Sequence, residues 1–551
     1  MDDTDTSPRW SPAADVALVA FVVAGSLAPY VNRLGFYGDD WDVLSVLSLS
    51  ADQSLRGLYA AMAVEAQLLM RPGQKLLAAL LYQTFGLDPL GYHVVNASLL
   101  VASAVLLLMV LRELGLSRAV AVAAAIIYSV LPHYSTARVW WASIQAPFSM
   151  AGYLLSLYAG LRSVRTSPTR AYGWQALSLA SLVASALAYE VAMPLFFLNP
   201  LLFWHRQRQL QRPSDEALSP PAFRVFMGLT LAAVLGTAAF KAGTSTRLSG
   251  GPSLFYLAVA GREIARINLW TYGLAAPRTL LIAIRHASAA VLLVAALLGL
   301  VSYWFLRRLP LAPTGLGVRP RPWLRLMIAG AAVFLLGHLI FLATNVGFSA
   351  TGANNRTAVV GASGIALVLV AAAAWLTERV PAPWRVRCFA GLIALISVAA
   401  FVINAMLVRS WVTAYEREEQ VLYSIRQAFA TLPASSSLIL DGVCRYVGPA
   451  IVFESSWDLQ GALRLFYRDS TLRADVVSPD LRVDRDGVHT VIYGDDSRYP
   501  YDMHLIVFDA GRGISQLLPD ETAARTYFAR SNHDVRNGCP SGRPGHGVQV
   551  F

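Results

Sequence analysis

Acidic residues are scarce in the first 408 positions, sixteen in all, yet three of them fall within four positions of one another. They are Asp39, Asp40 and Asp42, in the stretch GFYGDDWDVL. One such carboxylate could take the proton from an attacking hydroxyl as a general base. Together they could help to bind a divalent cation that stabilises developing charge. The plainer alternative is a solvated loop start whose aspartates mark an interface. Glu190, in ALAYEVAMPLFF, is the one acidic residue inside a continuous apolar stretch. A carboxylate there signals either a functional site or a hydrogen bond at a helix break, and nearby Pro194 and Asn199 favour the break. Four basic residues could answer an anion: Arg71 in MRPGQK, Lys75, Arg138 in ARVWW, and Arg356 in GANNRTAV. Arginine grips phosphate through two parallel hydrogen bonds, although each of the four could equally be an interfacial anchor. His93 and Asn96, three apart, share a helix face and read as a structural pair. Nothing has the spacing of a zinc site, a phosphate-binding loop or a dinucleotide fingerprint. An ATP-driven transporter is therefore disfavoured.

The elements that must position these residues are apolar helices. Of 551 residues, 56% are hydrophobic and 14% charged, with mean hydropathy +0.49. A soluble chain of that length needs far more charge to cover its surface. Apolar runs recur at about 13–31, 93–112, 118–132, 143–161, 173–189, 191–204, 225–241, 287–306, 326–344, 358–377 and 388–408. At roughly 20 residues per span, the expectation is a polytopic α-helical membrane protein of about 11 transmembrane helices. The N-terminus is acidic where a secretory signal is basic, so the first run reads as a retained helix.

Charge sets the expected orientation. The net charge of +11 divides into −3 from Arg409 onward and +14 before it. With the N-terminus cytoplasmic, the inside loops hold Arg112 and Arg118; Arg162, Arg165 and Arg170; and Arg206, Arg208, Arg212 and Arg224. Arg307, Arg308, Arg319, Arg321 and Arg325 follow, then Arg379, Arg385 and Arg387. This is the positive-inside pattern rather than a nucleic-acid patch. An odd number of spans places the C-terminal tail outside, in the periplasm of a bacterium, with the chain in the inner membrane.

Two domains follow: 1–408 in the membrane, with a long first outer loop at 32–92, and 409–551 as a soluble periplasmic α/β domain. Within the loop, Gln74–Phe85 is too short to span and reads as an interfacial helix. The tail opens with a charged helix, WVTAYEREEQVLYSIRQAF. Strands are expected at SSLILDG, PAIVFE, ADVVS, HTVIYG and HLIVFDA, and helices at DLQGALRLFYR and ETAARTYFAR. Cys444 and Cys539 could form one disulfide in an oxidising compartment.

Four stretches, in order, resemble the GT-C-type membrane glycosyltransferases, in particular the protein O-mannosyltransferase-like group that uses polyprenyl-phosphate sugars. They are FYGDDWDVL, RPGQKLLAALLYQTFGLDPLGYHVVNASLL, HYSTARVWWASIQAPFSMAGYLLSLYAG and ALAYEVAMPLFFLNPLL, together spanning about 30–204. The resemblance implies an inverting transfer from a polyprenyl-phosphate donor to a glycan, lipid or protein acceptor, at the outer face of the membrane. It implies Asp39, with Asp40 close behind, as the base. Arg71 and Arg356 become phosphate contacts and Glu190 a structural or acceptor-side carboxylate; Lys75, His93 and Arg138 fall at substrate-binding positions. The resemblance names no cofactor, though the aspartates could hold a divalent cation. Two departures stand out: Tyr189 replaces the usual Lys before the buried Glu, and Leu100 replaces a second His. A flippase for a lipid-linked glycan and a membrane scaffold are the competing classes.

Overall fold

A computed structural model describes residues 12–530 apart from 65, 211–219, 246–252, 312–321, 345, 479 and 493–494. Arg212, Arg319, Arg321 and Cys539 lie outside the described residues, and with Cys539 the expected disulfide; Cys388 is a free thiol. The chain is a mostly helical, multi-pass membrane protein with a strand-containing C-terminal domain. Among the described residues, six helices are long and apolar enough to cross a membrane. They are Pro89–Glu113, Thr169–Ala188, Pro221–Thr244, Ala289–Leu306, Pro322–Ala343 and Ala382–Ala428. A seventh arises if Arg118–Val130 and Pro132–Val139, bent by 48°, form one span. Pro132 sits at that break because its ring removes an N–H donor from the helix ladder. Pro12–Leu27 and Gly361–Thr377 are apolar but shorter.

The 32–92 segment holds more structure than one interfacial helix. Asp39–Ser48, Leu55–Ala61 and Pro72–Phe85 are all helical. A further helical segment, in the long interval between the 225–241 and 287–306 runs, goes unseen in a hydropathy reading. It comprises Leu254–Ala265, a π-helical stretch Arg266–Leu274, and Ala276–His286. Arg262, Glu263, Arg266, Arg278 and Arg285 hold its average hydropathy down.

Ala382–Ala428 runs 47 residues without a break. At 1.5 Å per residue that is about 70 Å, against about 30 Å of bilayer hydrocarbon. Its second half therefore leaves the membrane and carries the C-terminal domain. There Ser437–Asp441, buried throughout, is flanked in parallel by Arg473–Val476 and Leu505–Asp509, with Ile514–Leu517 antiparallel at the edge. A three-stranded antiparallel sheet of Arg482–Asp484, Gly487–Ile492 and Asp495–Tyr499 lies beside it.

The domain reaches back to the aspartate cluster. Helix Ser456–Tyr467 packs along Asp39–Ser48, and Gly461 is the point of closest approach. A Cβ there would lie 2.5 Å from the Trp41 carbonyl carbon and 2.6 Å from the Asp42 nitrogen. Both obstacles are backbone, so neither can rotate away. Gly461→Ala is expected to destabilise the protein by about 1–3 kcal/mol, the usual range for overpacking. Thermal melts in detergent check this against Gly391→Ala, whose Cβ would meet open space and should leave the midpoint no lower.

Candidate active site

The aspartate cluster is set by a pinned loop. His93 Nε2 hydrogen bonds to the Gly35 carbonyl at 2.9 Å, and the Tyr415 ring occupies the place of a Gly35 side chain. The Tyr37 ring packs edge-on against Trp411, 4.9 Å between centroids. Gly38 then turns the chain at φ +51°, a left-handed value that glycine adopts without strain. Asp39 is thus the first residue of its helix, where the positive end of the helix dipole favours negative charge.

The neighbouring aspartates have different surroundings. Asp39 is exposed. Asp40 is fully buried, its Oδ2 accepting from the Tyr37 N–H at 2.9 Å and its Oδ1 from the Ala142 N–H at 2.7 Å. Burial pushes the Asp40 carboxyl well above the ordinary carboxylate range, against the opposing pull of those two N–H groups. Asp40 ties the first loop to the segment after Trp141. Asp42 is half-buried. The three aspartates do not gather ligand atoms around one point; among the described residues that arrangement occurs at Asp484, Asp486 and His489, within 4.8 Å of one another.

The cationic residues converge elsewhere. A cavity of about 430 Å³ is lined by Arg71, Glu190, Lys241 and Arg356, with Tyr189 and Phe341 among its apolar walls. Arg71 grips Glu190 through both Nε, at 3.1 Å, and Nη2, and its guanidinium lies over the Tyr189 ring at 4.6 Å. Lys241 Nζ reaches Glu190 Oε2 at 3.3 Å.

Local sequence explains the meeting. Glu190 opens a 3₁₀ turn after the extended residue Tyr189, at the break between the helix ending at Ala188 and the one starting at Met193. Ser149 Oγ donates to the Tyr189 carbonyl at 2.9 Å and fixes that break. Arg71 precedes Pro72, the first residue of its helix, a position where proline forfeits nothing. A Cβ on Gly73 would lie 2.9 Å from the Ala188 nitrogen. The Arg-Pro-Gly run therefore lets one helix start touch the end of another.

Arg356 is held by its neighbour. Buried Asn355 donates to the His133 carbonyl at 2.8 Å and accepts from the Ser135 hydroxyl and the Thr136 N–H, both at 3.1 Å. The Arg356 guanidinium lies 4.7 Å above the Trp140 ring. That indole donates to the Tyr37 carbonyl at 2.8 Å, and the Trp140 ring lies 3.4 Å from where a Gly38 Cβ would be. A continuous path of contacts thus leads from the cationic cavity to the residue before Asp39.

The remaining predicted residues stand apart from the cavity lining. Lys75 is buried with Nζ over the Tyr59 ring at 4.6 Å, and His93 is spent on Gly35. Arg138, expected at the surface, is buried and donates to the Ser129 carbonyl and, at 2.5 Å, to Ser26 Oγ. Lys241 and Asn355 were missed by sequence reasoning. Lys241 did carry a signal: it is one of two lysines in a chain otherwise built on arginine.

A third buried carboxyl marks the seam with the C-terminal domain. Glu418 is fully buried, and neither of its oxygens makes a hydrogen bond among the described residues. Burial first, then the Asp458 and Asp40 carboxyls, push it well above its ordinary value of 4.5, with only partial relief from Trp41. A carboxyl whose proton is held more tightly in the folded chain stabilises below that ordinary value, and the stabilisation fades as pH rises above it. Wild-type melting temperature should therefore fall from pH 4.5 toward 8. Glu418→Gln should flatten the fall and melt higher at pH 8; a parallel pair of curves would refute the assignment. Some slope should persist, because Asp40 and Asp458 shift in the same direction.

No family model matches the chain, and no curated protein matches it. Its structure is similar to that of ArnT from Cupriavidus metallidurans bound to undecaprenyl phosphate, at 14% identity and TM-score 0.34, covering 85% of this chain and 86% of that one. It is also similar to the Archaeoglobus fulgidus oligosaccharyltransferase tethered to an acceptor peptide, at 12% identity and TM-score 0.37. That match covers 84% of this chain and 64% of the archaeal one. Both likenesses are distant.

Proposed function

We propose that the chain is an inverting GT-C-type glycosyltransferase that moves a sugar from a polyprenyl-phosphate donor to an acceptor hydroxyl or amide. The observation that carries the reading is the cavity lined by Arg71, Lys241 and Arg356 together with one carboxylate, between apolar walls. Three cations against Glu190 leave two positive charges. A polyprenyl-phosphate sugar is a phosphodiester with one negative charge, and its prenyl chain suits the apolar wall. When the bond from the anomeric carbon to the phosphate oxygen breaks, the phosphate becomes a dianion. The surplus cationic charge then interacts more strongly with the product phosphate than with the bound donor. That difference is what accelerates a reaction.

Asp39, at the other end of the contact path, takes the acceptor proton as the new bond to the anomeric carbon forms. A single displacement of this kind inverts the anomeric centre. Trp140, buried between Arg356 and Gly38, links the phosphate-binding arginine to the turn that carries Asp39. In this reading the first loop and the C-terminal domain, 409–551, lie on the periplasmic face of a bacterial inner membrane, with the N-terminus cytoplasmic. The acceptor is a glycan, a lipid or a protein that enters from that side. Glu190, already paired with two cations, is poorly suited to the proton cycling a transporter requires.

The test uses the purified full chain in lipid with a panel of radiolabelled polyprenyl-phosphate sugars, following release or transfer of the label. Turnover of at least one donor is the expected result. Binding of donors with no turnover, across a panel of candidate acceptors, would move the chain to the transporter or scaffold class.

A further inference from the structure

We infer that the chain carries a second lipid site, separate from the donor cavity, for a lipid with an anionic, phosphate-bearing headgroup. It is a pocket of about 330 Å³ at the domain end of the bundle, and the inference needs only that the chain spans a membrane. Its back wall is one stripe of the long Ala382–Ala428 helix. Ala405, Arg409, Val412 and Glu416 all line it, at the three- and four-residue spacing that stacks side chains on one helix face. Toward the bilayer the pocket is apolar, with Val291, Ala405 and Met406. Toward the domain it becomes charged, with Arg33, Arg409, His286 and Glu416. Two to three helical turns therefore span the change from apolar to charged, as the boundary between acyl chain and headgroup does.

The charges leave room for an anion. Arg33 Nη2 bonds Glu416 Oε1 at 2.8 Å, and Arg409 Nη1 donates to the His286 carbonyl at 2.8 Å. A guanidinium has five N–H donors, so each arginine keeps donors beyond the one bond described here. Two arginines against one glutamate leave one positive charge for one phosphodiester. Arg33 and Arg409 are both exposed, and both lie close enough to Tyr30 for their charge to act on it.

The adjoining helix shows how a lipid reaches the pocket. Ala276–His286 contributes Ala283 and His286 to the lining, while Leu281 and Ile284 remain exposed at 60% and 41% beside Arg278 and Arg285. Apolar side chains outward with arginines alongside are the pattern of a helix lying in a headgroup layer. The pocket therefore opens where headgroups are, and a free anion has no use for its apolar floor.

The test counts lipids retained by the purified full chain, by native mass spectrometry, after mixing with phosphatidylglycerol or phosphatidylcholine of the same acyl chains. Wild type should retain phosphatidylglycerol preferentially. Arg33→Gln/Arg409→Gln should lose roughly thirtyfold of that retention, about what two interfacial cations contribute together. Lys241→Met, in the donor cavity, should keep it. Met406→Trp, which fills the apolar floor and leaves both arginines, should also expel the lipid, and it keeps the test decisive if the double arginine variant fails to fold. Equal retention by the arginine variant, or loss from the donor-cavity variant instead, overturns the proposal. Displacement by excess inorganic phosphate with no effect of Met406→Trp would show a simple anion site and overturn it too.

Discussion

Asp39→Asn should abolish sugar transfer and leave the melting temperature nearly unchanged, whereas Asp40→Asn should unsettle the fold. Asp39 is exposed at the first residue of its helix, so an amide there removes a base and disturbs little packing. Loss of a positioned general base typically slows turnover about 10²–10⁴-fold. Asp40 is fully buried and both its oxygens accept backbone N–H bonds, from Tyr37 and Ala142. In Asp40→Asn the amide NH₂ must face one of those N–H groups, leaving a buried donor unsatisfied at about 1–3 kcal/mol. Asp40→Asn should therefore lower the melting temperature, and lose activity through displacement of the loop. Turnover of a polyprenyl-phosphate sugar beside a thermal melt separates the two. Full turnover in Asp39→Asn would return the base to Asp40 or Asp42 and break the proposed division of labour.

That division shows how far the sequence could be read. The cluster itself is plain, because carboxylates are rare in an apolar chain. That Asp40 is the member spent on structure depends on the backbone of Ala142, 102 positions away, and no local pattern reveals that bond. Glu190 stood out for the same reason as the aspartates, and its proline-marked helix break is present. Its partners Arg71 and Lys241 are 119 and 51 residues distant, on separate helices, so only the fold could pair them. In the C-terminal domain, the apolar runs at Ser437–Asp441, Gly487–Ile492 and Leu505–Asp509 are strands, as their composition implies. The missed strands are short or polar: Tyr446–Val447, Arg482–Asp484, Asp495–Tyr499 and exposed Ile514–Leu517. Apart from buried Tyr499, their described side chains are partly or fully exposed, so pairing more than hydrophobic burial makes them strands.

The buried triad should separate charge balance from donor binding, because its two ends fail differently. Glu190→Gln leaves the Arg71 guanidinium and the Lys241 ammonium side by side without their counter-ion. Removing one partner of a buried pair destabilises by about 3–5 kcal/mol, so this variant should melt far below wild type. Lys241→Met has the opposite profile. It leaves Arg71 and Glu190 as a matched pair in an apolar wall, so stability should hold or rise slightly. What it loses is one cation facing the donor phosphate, a charged contact of about 1.5–3 kcal/mol, or roughly 10- to 100-fold. Because the phosphate gains charge as the sugar leaves, most of that loss should fall in kcat rather than KM. The double variant Glu190→Gln/Lys241→Met removes one of the two stranded cations, and should recover part of the melting temperature with no recovery of turnover. Melting curves and steady-state kinetics on the three variants give the test. If Lys241→Met melts as low as Glu190→Gln, the lysine is structural and its proposed part in holding the leaving phosphate is lost.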